Sequence, residues 1–294
     1  MNIRQSSPGP VVFGEVLFDC FPGHRVLGGA PFNVAWNLHG LGQAPLFVGA
    51  VGKDDNGDEV RRSLSGWGMD MSGLQQDALH PTGTVQVHIE NDEPSYEIVA
   101  DQAYDHIARQ QALEAVAGRQ EGILYHGSLA LRSTDSRDTL AALREQLGAR
   151  VFMDVNLRDP WWDVSGIHAL MKDAAWVKLN EDELEALAAD TGQAPEARAQ
   201  GLMQRFGLEA VIVTRASRGA LVVTRAGDVI ARGAPSVDGL VDTVGAGDAF
   251  SAVVITGLIN DWDWKTILDR AAEFAARVCT LRGATTQDKG FYCL

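Results

Sequence analysis

Asp242-Thr243-Val244-Gly245-Ala246-Gly247-Asp248-Ala249-Phe250 is the stretch from which the rest of the chain is best read. A run of small residues leads into an apolar helical pattern, Gly247–Ile259, with an aspartate at its first turn. Small residues let main-chain N–H groups approach an anion closely, and a helix N-terminus adds partial positive charge. A carboxylate in that place has the wrong sign to hold phosphate. It can instead take a proton from a hydroxyl that attacks a phosphoryl group. The competing explanation is a tight turn whose aspartate only caps the helix. Donor cradle and base on one turn suggest a small-molecule kinase. No GxxxxGK(S/T) occurs, so this is not a P-loop, and no HRD or DFG set marks a protein kinase.

Outward from this turn, short β-rich apolar runs recur at Val11–Glu15, Leu46–Gly52, Gly122–Ser128, Val151–Asp154, Trp176–Asn180, Ala210–Thr214 and Ala220–Thr224. Helical patterns separate many of them: Phe32–Leu41, Gly57–Gly66, Ser133–Leu147, Glu181–Ala189 and Glu196–Phe206, followed by Gly247–Ile259 and Trp264–Leu281. Apolar strands alternating with helices predict an α/β domain with a mainly parallel sheet covered on both faces. One region differs. In Thr84–Val99, Val85, Val87 and Ile89 alternate with Gln86, His88 and Glu90, which predicts a hairpin turning at Asn91–Pro94. Glu15–Phe21 alternates too. Two such amphipathic pieces, at about residues 15–28 and 83–103, predict a small β-sheet lid on a single domain covering 1–294. A lone two-stranded flap is marginal, so the lid calls for a partner such as a second subunit.

The 294 residues carry 25 basic and 39 acidic side chains, a formal net charge of −14. That balance argues against non-specific binding to nucleic acid or an anionic membrane. Polyphosphate on an acidic protein then needs local cations, from a few basic side chains or from metal. Cys20, Cys279 and Cys293 lie far apart with no CxxC, so neither a disulfide framework nor a zinc knuckle is expected, and a cytoplasmic location fits. The seven histidines show no HxxxH pairing. Met1–Pro10 is polar, and no uncharged apolar run approaches about 18 residues, so neither signal peptide nor membrane span is expected.

Polar residues collect where the predicted strands end: Gly14-Glu15, His126-Gly127-Ser128, Asp154-Val155-Asn156-Leu157-Arg158, Asn180 and Thr214. Open α/β sheets bind ligands at these carboxyl ends. In Gly28-Gly29-Ala30-Pro31-Phe32-Asn33 the glycines allow close approach and Asn33 can bond hydroxyls; taken alone, a loop-to-helix entry with a solvated Asn is the simpler reading. Arg158 can clamp a transferring phosphate, or merely pair with Asp159 or Asp163. Asn180 and Glu183, three apart, can hold the hydration shell of Mg²⁺ or cap the following helix. The Trp161-Trp162 pair can line a pocket, though packing is its simpler role.

Together these residues resemble the PfkB, or ribokinase-like, carbohydrate kinase family, across nearly the whole chain. Gly28–Ala35 is similar to the first family signature and Asp242–Asp248 to the second. Val51–Gly57 resembles VGxDxxG, Asn180–Glu183 resembles NxxE, and Asp154–Arg158 resembles the DxNxR of the fructokinase and 2-keto-3-deoxygluconate kinase branches. Ala30-Pro31 and Gly127-Ser128-Leu129 look most like fructokinase-type members, since ribokinases proper usually carry Lys where Ala30 stands. The resemblance implies a three-layer α/β/α fold with a β-lid that often mediates dimers. It implies Asp248 as general base, an anion hole of the turn Gly245, Ala246, Gly247 and Asp248, and Arg158 on the phosphates. Asp19, Gly28, Gly29 and Asn33 would hold the sugar; Asn180, Thr214, Gly219 and Gly247 would lie at ATP. Asn180 and Glu183 would organise Mg²⁺ through water, and Asp242 with the Val244 carbonyl would offer a monovalent-cation site suited to K⁺. Ala216 replaces the first glycine of the family's VTxGxxG, the Asp19–Gly28 loop is short, and Tyr104-Asp105 stands where many fructokinases have Ala-Asp or Trp-Asp.

The expectation is therefore an ATP- and Mg²⁺-dependent kinase acting on a small sugar, with fructose first at a primary hydroxyl. Alternatives are 2-keto-3-deoxygluconate kinase, another sugar or nucleoside kinase of the family and, from a different class, a non-catalytic sugar- or nucleotide-binding protein. The aspartate at the turn speaks against the last, because binding alone needs no base.

Overall fold

The structure, a computed structural model, describes residues 9–90, 93–120, 122–188, 192–237 and 239–294. Thirteen strands are described: β1 Val11–Phe13, β2 Leu17–Phe21, β3 His24–Gly28, β4 Leu46–Gly52, β5 Leu74–Asp77, β6 Gly83–Glu90, β7 Glu93–Ile98, β8 Ile123–His126, β9 Arg150–Asp154, β10 Trp176–Asn180, β11 Ala210–Thr214, β12 Ala220–Thr224 and β13 Val229–Arg232. The α-helices are α1 Ala30–Gly40, α2 Asp55–Trp67, α3 Arg109–Ala115, α4 Thr134–Leu147, α5 Val164–Met171, α6 Glu181–Leu187, α7 Pro195–Phe206, α8 Ala246–Ile259 and α9 Trp264–Val278.

Nine strands form the main sheet in the order β13-β12-β11-β10-β9-β8-β1-β4-β5. From β5 to β11 every pair is parallel. Strand residues alternate between two separate cores. Val12, Phe152 and Ile212 join the core under α1, α2, α8 and α9, while Val11, Phe13, Val151, Met153, Val211 and Val213 join the one under α3–α7. Both faces of each strand are thus buried, and this is why the strands read as continuous apolar runs. The result is the expected three-layer α/β/α fold.

At one edge the parallel pattern ends. β12 and β13 run antiparallel to their neighbours. Only Arg215–Gly219 lies between β11 and β12, too short for the crossover that a parallel return needs. The sequence pattern also misses β5 and β13, four residues each on the two edges, and the short helices α3 and α5.

The small sheet is larger than the predicted flap. It has four strands in the order β3-β2-β6-β7, with β2 and β6 parallel and the outer pairs antiparallel. The piece taken from the sequence as one strand, Glu15–Phe21, is the first half of a β2–β3 hairpin closed over Pro22-Gly23. The short Asp19–Gly28 loop is therefore itself strand, and four strands supply the pairing that a two-stranded flap lacks. Of the predicted β6–β7 turn, Asn91 and Asp92 lie outside the described residues, as do Ala189 of the predicted α6 end and most of the polar Met1–Pro10 segment. Among the described residues no helix is long and apolar enough to cross a membrane.

Candidate active site

The tips of β11, β10, β9, β8 and β1 lie side by side in the sheet, so their terminal residues share one end of the molecule. Asn180 and Thr214 are direct neighbours in register. Into this end points the N-terminus of α8, whose residues Ala249–Gly257 are all buried.

Gly245 precedes α8 in the left-handed region at φ 79°. A Cβ there would meet the Ala284 Cβ at 2.2 Å, so only glycine fits the turn. Asp248 does not cap the helix: no side-chain capping bond closes its start. The Ala246 amide donates weakly to the Thr243 carbonyl at 3.3 Å. Among the described residues the amides of Gly245, Gly247 and Asp248 donate to no group. The cradle thus consists of Gly245, Gly247 and Asp248, with Ala246 partly engaged. An anion placed at this turn meets several unspent N–H donors and the positive end of a long helix.

The Asp248 side chain turns toward α1 instead. Asn33 Nδ2, on buried Asn33, donates to Asp248 Oδ2 at 2.8 Å across 215 positions of sequence. A carboxylate only accepts, so the amide NH₂ must face it, and Asn33 Oδ1 is left buried without a partner. Burial pushes the Asp248 carboxyl up to about 6; the Asn33 bond opposes this, Asp154 reinforces it, and Lys178 and Arg158 oppose it. The residue is half-buried and so stays reachable from solvent.

Two charged groups in this region belong to none of the motifs, though Glu15 stands among the polar residues at the strand ends. Lys178 sits within the apolar run of β10, and its ammonium lies 2.9 and 2.8 Å from the two oxygens of Asp154. Ser251 on α8 also donates to Asp154 Oδ2, at 2.6 Å, and Tyr125 at 3.4 Å. Burial alone would depress the Lys178 ammonium, but Asp154, with Glu183 and Asp248 beyond it, outweighs that and holds it above the ordinary lysine range. A Cβ at Gly247 would lie only 3.6 Å from Lys178 Nζ, so this cation sits directly under the anion turn. The sequence signal was a lone lysine in an otherwise apolar strand.

The second group is Glu15, just past β1 and 2% exposed, with Oε2 unpartnered. Gly29, at φ 106°, presses against it: a Cβ would stand 2.7 Å from the Glu15 carbonyl oxygen. Burial raises the Glu15 carboxyl from 4.5 to about 7, with its own backbone hydrogen bond and Arg158 opposing. A raised acid binds an extra proton in the folded state, so its stabilising contribution is complete below 4.5 and lost as pH climbs through 7. At about 1.4 kcal/mol for each pH unit between those values, Glu15→Gln should gain on the order of 3 kcal/mol at pH 8 and nothing at pH 4. Denaturant unfolding of both proteins at the two pH values checks this, and equal stability at pH 8 would overturn it.

The other predicted residues divide. Arg158 is exposed and forms no ion pair among the described residues; it donates to its neighbour's carbonyl, at Leu157, at 3.0 Å. The predicted alternative partners are spent, Asp159 on Trp162 and Asp163 on the start of α5. Arg158 lowers the Asp248, Glu15 and Asp19 carboxyls, which places its charge toward the site. Asp19, on β2, has its carboxyl raised by burial, against the pull of Arg158, and faces Gly28 at the end of β3. Asn180 and Glu183 form a reciprocal capping box on α6, Asn180 accepting from the Glu183 amide at 2.9 Å and Glu183 Oε2 from the Asn180 amide at 2.8 Å. Glu183 Oε1 takes the Leu157 amide at 2.8 Å, so this carboxylate clasps the loop after β9.

Asp242 Oδ1 accepts from the Val244 amide at 3.0 Å, in the segment leading to the turn. Gly219 opens β12 beyond Thr214, and Ala216 between them adopts φ 48°, the left-handed region where the family's glycine is at ease. The tryptophan pair does both: Trp161 packs with Leu17, Val85, Tyr104 and Leu129, Trp162 joins the core under α3–α7, and both line a surface cavity with Leu131, Arg132 and Pro160. Asp105, beside Tyr104, is fully engaged by Arg132 through two 2.7 Å bonds.

A carboxylate raised toward neutrality, beside unspent amides at a helix start, can accept a proton from an alcohol while the amides receive charge on a transferring group. A fructokinase of Escherichia coli is 31% identical over 296 residues, covering 94% of each chain. An aminoimidazole riboside kinase of Salmonella typhimurium is 29% identical, covering 94% of this chain and 90% of its own. The crystal structure of a fructokinase from Vibrio cholerae O395, bound to fructose, ADP and calcium ion, superposes with a TM-score of 0.82 at 28% identity, covering 98% of this chain and 99% of that one. Residues 4–289 match the pfkB family carbohydrate kinases, and the chain belongs to that family.

Proposed function

We propose that this chain is a fructokinase that uses ATP and Mg²⁺ to phosphorylate a primary hydroxyl of fructose. The observation that carries the reading is the pairing of the Asp248 carboxylate, steered by Asn33 at 2.8 Å, with the unspent amides of Gly245, Gly247 and Asp248. The phosphoryl donor and its divalent ion supply the transferable group and neutralise part of its charge. Asp248 takes the hydroxyl proton. The amides receive the charge on the group in transit, and Arg158, with no acidic partner among the described residues, reaches its outer oxygens. Asn33 Oδ1, Asp19 and the Gly28-Gly29 backbone hold sugar hydroxyls. Asn180, Thr214 and Gly219 lie at the nucleotide.

Both Glu183 oxygens already accept main-chain bonds. Its hold on Mg²⁺ is therefore placed in the water shell, as suits an ion that keeps its waters. Asp242 and the Val244 carbonyl are the place we assign to K⁺. Positioning and charge neutralisation then supply most of the rate.

The fructokinase relatives favour fructose, and the aminoimidazole riboside kinase makes ribosides the rival class. ATP consumption measured over fructose, ribose, 2-keto-3-deoxygluconate and nucleosides tests the choice. The highest kcat/KM is expected with fructose; a higher value with a riboside or the keto acid would replace the substrate while keeping the chemistry.

A further inference from the structure

We propose that His80, Asp101 and His106 form a transition-metal site, suited to Zn²⁺, at the base of the small sheet. His80 lies between β5 and β6, where the chain leaves the main sheet. Asp101 follows β7, and His106 ends the short turn Ala103–His106 where the chain returns. The two crossings are already joined by one main-chain bond, Ala103 N–H to the Pro81 carbonyl at 2.9 Å.

One ligand atom from each of the three residues lies within 4.8 Å of the others. Asp101 Oδ1 is 2.8 Å from His106 Nε2 and 3.6 Å from His80 Nε2. The imidazoles stack with centroids 3.7 Å apart and planes 12° from parallel.

The far nitrogens are also committed. His80 Nδ1 faces Asp77 Oδ2 at 2.8 Å, and His106 Nδ1 faces Asp135 Oδ2 at 3.3 Å. Asp77 is itself fixed by the Leu79 and His80 amides at 2.7 and 3.1 Å. A carboxylate behind each ring can take the Nδ1 proton and free Nε2 for a metal, the usual support of a metal-bound histidine.

Both nitrogens of both rings face carboxylate oxygens, and the two Nε2 atoms with Asp101 Oδ1, all within 4.8 Å of one another, offer three ligands to a single divalent ion. Two imidazoles and a carboxylate match Zn²⁺ among common ions, and three protein ligands leave a position for water. The histidine side chains are only 22% and 28% exposed, so packing holds them in place, while Asp101 at 74% leaves the site open to entry.

The test uses whole protein stripped with EDTA and desalted at neutral pH, titrated with Zn²⁺ against a chromophoric chelator. One equivalent should bind with a micromolar or lower Kd. The pair His80→Gln and His106→Gln should weaken it by at least about tenfold, and Zn²⁺ should raise the thermal midpoint of the wild type but not of the double variant. Because that variant can lose its fold, ring NMR signals of the wild type provide a second reading. Zn²⁺ should displace the signals of two of the seven histidines. Absence of saturable binding, tight binding that survives the double substitution, or unmoved histidine signals would each overturn the proposal.

Discussion

Asp248→Asn is expected to lower kcat by about 10²–10⁴-fold, the usual worth of a positioned general base. The amide keeps the size of the carboxylate and can still bond Asn33 by presenting its oxygen, but it cannot take a proton. The cradle amides of Gly245 and Gly247 are untouched, so nucleotide affinity by calorimetry should change little. The wild type adds a pH signature. With the Asp248 carboxyl near 6, raised by burial, the deprotonated base is depleted below that pH. The ratio kcat/KM, which reports the free enzyme, should then fall about tenfold per pH unit on the acid side, and the Asn variant should lose that limb. A near-normal kcat in Asp248→Asn would remove the carboxylate from the mechanism.

Lys178→Met is expected to cost about 3–5 kcal/mol of stability. Lys178 is 6% exposed and Asp154 3% exposed, so the substitution strands a buried carboxylate with only the Ser251 and Tyr125 hydroxyls to face it. The penalty comes from the orphaned partner more than from the lost attraction. The double variant with Asp154→Asn should therefore recover a large part of the loss, a coupling that a double-mutant cycle reads directly. Removing the cation under Gly247 also lifts an opposing influence on Asp248, so its carboxyl should rise further and the acid limb of the rate profile should move to higher pH. A stability loss under about 1 kcal/mol would mean that the pair is solvated in a way its burial does not suggest.

Much of the fold was legible because strands such as Leu46–Gly52 and Ala210–Thr214 are buried on both faces and carry no polar alternation to confuse with a helix. The β5 and β13 edges were not, since four residues each are too few to show a period. The glycine turn and its aspartate were legible as local chemistry, and the Asn33 bond then supplied a partner no spacing rule could name. Asn180 and Glu183 show the opposite limit. Their three-residue interval suits a helix cap and a metal shell alike, and the structure forms the cap. Lys178 was hidden because a charge in an apolar strand carries no recognisable interval, and its meaning depends on what the neighbouring strand brings; Glu15 was legible only as a polar strand end. The stacked histidines lie 26 positions apart, joined only by the departure and return of the small sheet.

The helix that carries Asp248 is enclosed by protein from Ala249 to Gly257, and Ser251 pins it to Asp154 at 2.6 Å. Such a rod has no slack along its own axis. With Asp248 as the proposed base, its alignment is set by the tight fit of aliphatic groups far from the turn, and a methyl-sized defect beside Val253 or Ile255 would be felt there as a misaimed carboxylate.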